Sequence, residues 1–215
     1  MSDAAAQMDR MYRHQRYIYD ASRKFYLLGR DALIAEIGAR PGDAILEIAC
    51  GTARNLVKIA RAYPQSPCCG FDVSAEMLDS AARSVKRAGL ERRIALARAD
   101  ATSFDPGALF GRARFERIVI SYALSMIPPW REALAHALDQ LAPGGSLHIV
   151  DFGDQAGLPH WLRFALNRWL AAFHVTPRSE LPAVLAELAR SRGLDWRAQS
   201  RFGGYAFHAR AERRG

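Results

Sequence analysis

Three acids stand where small residues begin to replace apolar ones, and their spacing along the chain is the strongest chemical signal in it. Residues 44–56 read AILEIACGTARNL: an apolar run carrying Glu47, a turn of small residues at Ala49, Gly51 and Ala53, then a new helical pattern. Small residues let a ligand approach the backbone, and the following helix offers unpaired N–H groups to a carboxylate or phosphate. Residues 68–78, CCGFDVSAEML, repeat the design with Asp72 at the end of the run and a Ser-initiated helix after it. An acid at that distance from the turn suits two hydrogen bonds from ribose hydroxyls. Residues 93–104, RIALARADATSF, end a third run in Asp100. The three carboxylates together suit a nucleoside-bearing cofactor.

To bring these acids together, the runs must be neighbouring strands of one sheet. Further strands are expected over residues 115–122 and 145–151, the latter announced by the turn chemistry of Pro143, Gly144 and Gly145. Five strand-helix repeats imply a parallel sheet that binds ligands at its carboxyl edge. Residues 194–210 alternate apolar and polar positions on both sides of Gly203 and Gly204, which predicts a terminal antiparallel hairpin.

With 215 residues, 50% of them hydrophobic, the chain suffices for one α/β domain with helices on both faces of the sheet. No apolar run approaches the length of a membrane span and the start lacks a signal-peptide core, so a cytoplasmic protein is expected. Cys50, Cys68 and Cys69 neither pair into a framework nor show metal-ligand spacing. They read as reduced, buried, small apolar residues, and no metal is expected.

These residues resemble the class I S-adenosylmethionine-dependent methyltransferases over nearly the whole chain. The resemblance implies a Rossmann-like, mostly parallel seven-stranded sheet closed by the antiparallel hairpin. It implies that the turn, here Glu47, Ala49, Cys50, Gly51, Thr52 and Asn55, packs on the amino-acid part of S-adenosylmethionine. Asp72 matches the ribose acid, Asp100 and Ala101 match the pair that recognises adenine, and Met77 covers one adenine face; Val73 and Ser121 complete the contacts. A nicotinamide-binding fold is the main rival. The missing third glycine and the Asp100-Ala101 pair favour the methyltransferase.

The net charge of +8 rests almost wholly on Arg, with Lys only at Lys24, Lys58 and Lys86. Between residues 9 and 30, Arg10, Arg13, Arg16, Arg23, Lys24 and Arg30 interleave with Met11, Tyr12, Ile18, Tyr19 and Tyr26 at helical spacing. This basic amphipathic segment reads either as a solvated helix face or as a lid over the cofactor that also touches an anionic membrane. A second candidate wall, residues 159–173, spaces Trp161, Leu162, Ala165, Leu166, Trp169, Leu170 and Phe173 into a wide apolar face. An ordinary core-facing helix is its simpler reading. The expected divisions are a lid helix over 1–35, a cofactor core over 40–152, a helical insertion over 153–190 and the hairpin over 191–215.

The pattern of residues 8–31, MDRMYRHQRYIYDASRKFYLLGRD, together with GTARNL at 51–56, is similar to the bacterial betaine-lipid N-methyltransferases. That similarity implies that the acceptor is the amine of diacylglycerylhomoserine, methylated three times, with peripheral contact to an anionic membrane and no nucleic-acid partner. Residues 121–129, SYALSMIPP, lack the Asn/Asp-Pro-Pro-aromatic signature associated with methylation of planar base or amide nitrogens. An alkylamine must lose a proton before attack, and Tyr17, Tyr19, Tyr122 and His14 are candidates to receive it or to orient the lone pair. His136, His148, His160, His174 and His208 read as structural. Arg23 or Arg30 is the candidate grip on the acceptor carboxylate, Tyr19 the candidate closure over the methionine end of the cofactor, and Trp161 a candidate wall of the acceptor site. Other lipid methyltransferases acting on phosphatidylethanolamine or quinones, an RNA methyltransferase and a non-catalytic cofactor-binding protein are the alternatives.

Overall fold

The computed structural model describes residues 27–173 and 175–215. His14, Tyr17, Tyr19, Arg23 and His174 lie outside the described residues, as does most of the expected lid. Element order is α1 (Arg30–Glu36), β1 (Ile45–Ile48), α2 (Arg54–Ala62), β2 (Cys68–Asp72), α3 (Ala75–Arg87), β3 (Ile94–Arg98), α4 (Pro106–Phe110), β4 (Phe115–Ser121), α5 (Trp130–Asp139), β5 (Leu141–Phe152), α6 (His160–Ala172), α7 (Leu181–Ser191), β6 (Asp195–Arg201) and β7 (Ala206–Glu212). The seven strands form one sheet in the order β3-β2-β1-β4-β5-β7-β6. β7 runs antiparallel to both β5 and β6, and the rest is parallel. This is the Rossmann-like α/β fold with its closing hairpin.

Central strands of a sheet covered on both sides must be apolar throughout, and β1, β2 and nearly all of β4 are buried at every position. Successive side chains point to opposite faces. Leu46, Ile48, Phe71, Ile118 and Ile120 therefore meet α5 and α7, whereas Ile45 and Val119 meet α1 and α2. Each fully buried residue of this size contributes about 1.5–3 kcal/mol. The strand order reverses at β1, so the crevice that receives ligands opens between the carboxyl ends of β1 and β4.

Two expectations change. β5 begins at Leu141 rather than at residue 145, because a register shift between Phe115 and Arg117 absorbs the bend at Pro143 and Gly144 without breaking the ladder. α6 is not core-facing along its length. Leu170 is buried and Leu166, Trp169 and Phe173 pack beside it, but Trp161 and Phe164 are 73% and 71% exposed. No helix among the described residues is long and apolar enough to cross a membrane.

Candidate functional site

The turn after β1 keeps a glycine-type backbone with only one glycine. Ala49, Gly51 and Ala53 all have positive φ, at 53°, 54° and 60°. An L-residue in that region costs on the order of 1–2 kcal/mol, strain that persists only where the surroundings enforce it. Asp72 is part of that enforcement: its Oδ2 accepts the Gly51 N–H at 2.9 Å and its Oδ1 accepts the Ser74 N–H at 3.0 Å. One carboxylate thus ties the β1 turn to the β2 turn. Ser74 in turn caps α3 by accepting the Met77 N–H at 3.3 Å.

The turn lines a cavity of about 350 Å³ shared with Arg30, Arg54 and Ser121. Of the residues singled out in the sequence, Glu47, Ala49, Cys50, Gly51, Thr52, Asn55, Ser121 and Arg30 meet there. Asp72, Val73, Met77, Asp100 and Ala101, on or after β2 and β3, lie outside that lining. Asp100 is exposed and accepts from the Thr102 N–H and hydroxyl at 2.8 and 2.7 Å, whereas Ala101 and Met77 are buried and apolar.

The cavity lining holds buried polar atoms without hydrogen bonds among the described residues. Asn55 Nδ2 donates to Glu47 Oε1 at 3.0 Å, which leaves Glu47 Oε2 and Asn55 Oδ1 without a partner; Ser121 Oγ and Arg54 Nη1 are also unmatched. Unpaired buried groups cost about 1–3 kcal/mol each, so a cluster of them in one lining marks a place for a polar ligand. Three acceptors suit an ammonium group, and the Arg30 and Arg54 guanidiniums suit a carboxylate. The donor set thus fits the amino-acid end of S-adenosylmethionine. Burial pushes the Glu47 carboxyl up to about 7, opposed by the Asn55 hydrogen bond and the Arg30 charge.

Arg30 is the first residue of α1, and its Nε donates to the Leu27 carbonyl at 3.2 Å; Gly29, with φ 81°, turns the chain into the helix. It lines the cavity on the donor side, beside the turn. Tyr122, a candidate for the acceptor proton, has surroundings that favour a structural part. It is 1% exposed, and its hydroxyl donates to the Leu28 carbonyl at 2.6 Å. Burial and the neighbouring Asp151 charge hold that phenol far above its ordinary range. Its role is to fasten the 27–30 corner that presents Arg30. Trp161, on the exposed half of α6, is outside the cavity lining.

Sequence reasoning missed the residues that rigidify the loop after β4. Buried Asp151 accepts the Ser125 N–H at 3.2 Å and the Phe152 N–H at 2.8 Å. Arg178 donates from Nε to the Leu124 carbonyl at 3.3 Å and from Nη2 to the Ile127 carbonyl at 3.2 Å. An apolar strand ending in Asp signalled Asp151; nothing local signals Arg178. The three cysteines are buried and unpaired, and burial raises the Cys68 and Cys69 thiols to about 12 and 11.

Residues 45–145 match the family described as a methyltransferase domain. The demethylmenaquinone methyltransferase of Mycobacterium marinum is 28% identical over 155 residues, covering 70% of this chain and 59% of the relative. The chain thus spans about three fifths of that relative's length. An O-methyltransferase family protein from Burkholderia thailandensis superposes with TM-score 0.75 at 20% identity, covering 97% of this chain and 63% of the other. A Haemonchus contortus phosphoethanolamine N-methyltransferase, solved with phosphomonomethylethanolamine and S-adenosylhomocysteine, superposes with TM-score 0.72 at 14% identity, covering 99% and 60%. At such identities the two structures establish the fold. The matched domain and the curated relatives named here are methyltransferases, and the fold is the one that these solved structures share.

Proposed function

We propose that this chain is an S-adenosylmethionine-dependent N-methyltransferase that methylates the amine of diacylglycerylhomoserine successively to the trimethylated betaine lipid. The observation that carries the donor half is the cluster of unmatched polar atoms, Glu47 Oε2, Asn55 Oδ1 and Ser121 Oγ, in a cavity that also contains Arg30 and Arg54. When bound, the cofactor supplies a methyl group already activated on a sulfonium centre. Glu47, Asn55 and Ser121 hold its ammonium, Arg30 and Arg54 its carboxylate, Asp72 its ribose, and the apolar Met77 and Ala101 its adenine. The chain's contribution is to position and to exclude water, which suffices for transfer from so activated a donor.

The acceptor half rests on two supports. The first is the sequence pattern of residues 8–31, in which Arg23 is assigned to the acceptor carboxylate, Tyr19 to closure over the methionine end, and Tyr17 and His14 to the amine. The second is the exposed Trp161, Leu162 and Phe164 on α6, an apolar face suited to dipping into the interfacial layer of an anionic membrane on its cytoplasmic side.

A second reading, C-methylation of a quinone, is favoured by the relative from Mycobacterium marinum, named for demethylmenaquinone. The two separate in one assay: the protein is given labelled cofactor with diacylglycerylhomoserine, phosphatidylethanolamine or demethylmenaquinone in anionic liposomes. Highest kcat/KM on diacylglycerylhomoserine is expected. Label in the quinone ring alone selects the second reading, and cofactor binding without any product overturns both. Arg30→Lys should raise the KM for the cofactor, and Arg23→Lys the KM for the acceptor.

A further inference from the structure

The last three strands of the sheet place an unusual set of side chains on the face next to α1. Register sets them in rows: His148 on β5 lies opposite Arg210 on β7, and Arg210 lies opposite Arg197 on β6. Like charges directly opposite each other in a ladder repel. The next row pairs His208 with Gln199, and Arg201 follows. These residues, with Leu33 and Glu36 of α1, line a cavity of about 470 Å³ that shares no residue with the cofactor cavity.

Nearby carboxylates are largely committed. Glu36 stands 3.5 Å from Arg201 Nη2 and 4.0 Å from His208 Nδ1. Glu212 pairs with Arg210 Nη2, and Asp195 is held by Arg214. The Arg197 side chain, opposite Arg210 in the ladder, has no ion pair or side-chain hydrogen bond among the described residues. Arg201 Nε and Arg210 Nε are buried without a hydrogen bond among those residues. The guanidinium nitrogens are donors only, so what the lining lacks is an acceptor. Burial, and after it the Arg210, Arg117 and Arg197 charges, lowers the His148 imidazole to about 3.

We propose that this cavity is a second ligand site, one that takes a phosphate-bearing anion between Arg197, Arg201 and Arg210. Guanidinium forks match phosphate oxygens in pairs, and such an anion would relieve the Arg197–Arg210 repulsion while satisfying the unmatched donors. α1 joins the two sites: Arg30 faces the cofactor cavity, Leu33 and Glu36 face this one, and His208 lies against Gly29. The anion is either a free phosphate ester or the headgroup of an anionic lipid.

The test uses the full chain without cofactor or acceptor, so its outcome is independent of methyl transfer. The ring nitrogen resonances of His148 and His208 are followed during titration with inorganic phosphate, with glycerol 3-phosphate, and with phosphatidylglycerol or phosphatidylcholine vesicles. A saturable shift is expected, weakened about tenfold or more in Arg197→Gln, since hydrogen bonds to charged groups are among the strong ones. Arg197 is exposed, so this variant should fold. Arg163→Gln, on the exposed side of α6, should leave the shift intact. Saturation by the soluble phosphates assigns a free ester, and saturation by phosphatidylglycerol vesicles alone assigns a headgroup. No saturable shift with any of these probes, or the same affinity in Arg197→Gln, overturns the proposal.

Discussion

Binding of the cofactor should expel a proton from Glu47. Burial holds this carboxyl at about 7, above its ordinary value of 4.5. For an acid raised in the folded state the protonated form is the one that folding favours. Stability from this group is therefore present at low pH and declines as pH rises from about 4.5 through 7. An ammonium placed against Glu47 Oε2 reverses the balance and restores the ionised form. If the bound carboxyl returns to its ordinary range, binding releases about 0.9 proton at pH 6 and about 0.5 at pH 7, and affinity rises about fivefold between them. Titration calorimetry in two buffers of different ionisation heat reads the proton count directly. Glu47→Gln should abolish this release and weaken binding, since it removes a charge-assisted contact. The same variant should stabilise the empty protein at pH 8 by up to about 3 kcal/mol, the worth of a shift of this size. Equal proton release by the wild type and Glu47→Gln, or none at pH 6, would refute the assignment of Glu47 to the ammonium.

Three further outcomes follow from the geometry. Tyr122→Phe should cost about 1–3 kcal/mol by leaving the Leu28 carbonyl unmatched, and raise the cofactor KM with little change in kcat; a fall in kcat of a hundredfold or more, as expected for loss of a general base, would restore Tyr122 to the chemistry. Gly70→Ala should destabilise by about 1–3 kcal/mol in chemical denaturation and weaken cofactor binding, because the added Cβ would stand 2.7 Å from Leu56 Cδ2 and 3.1 Å from Cys50 Sγ, behind the turn. Trp161→Ala with Phe164→Ala should leave the melting temperature unchanged, since both are exposed, and reduce sedimentation with anionic vesicles about tenfold or more, from the loss of roughly 25 cal/mol per Å² of apolar contact. Unchanged sedimentation would remove α6 from the membrane reading.

What the sequence conveyed best was whatever depends on local order. Acids at strand ends were legible because a parallel sheet sends every strand-to-helix junction to the same edge, so Glu47, Asp72 and Asp100 needed only the alternation to be brought together. The hairpin around Gly203 and Gly204 was legible for the same reason. The β1 turn was half legible: Ala49 and Ala53 read as small residues that admit a ligand, yet the backbone keeps the left-handed conformation that glycine usually marks. Long-range commitments were hidden. Tyr122 looked available at a strand end, but its hydroxyl is spent on a carbonyl 94 positions earlier in the chain. Arg30 belonged to a basic periodicity that extends over much of the N-terminal segment, and only the turn at Gly29 delivers it to the cavity. In α6 the apolar spacing continues through the whole helix, whereas packing covers only its second half. The row of His148, Arg210 and Arg197 depends on the register of three strands, and no spacing within one segment could expose it.

The most direct test of the central claim is the mass of the lipid recovered after wild-type protein is incubated with methyl-labelled cofactor and diacylglycerylhomoserine in anionic liposomes. The account predicts mono-, di- and trimethylated species in sequence, each label on nitrogen, with Glu47→Gln slowing all three together through weaker cofactor binding. Unmodified diacylglycerylhomoserine, in the presence of demonstrated cofactor binding, would contradict it.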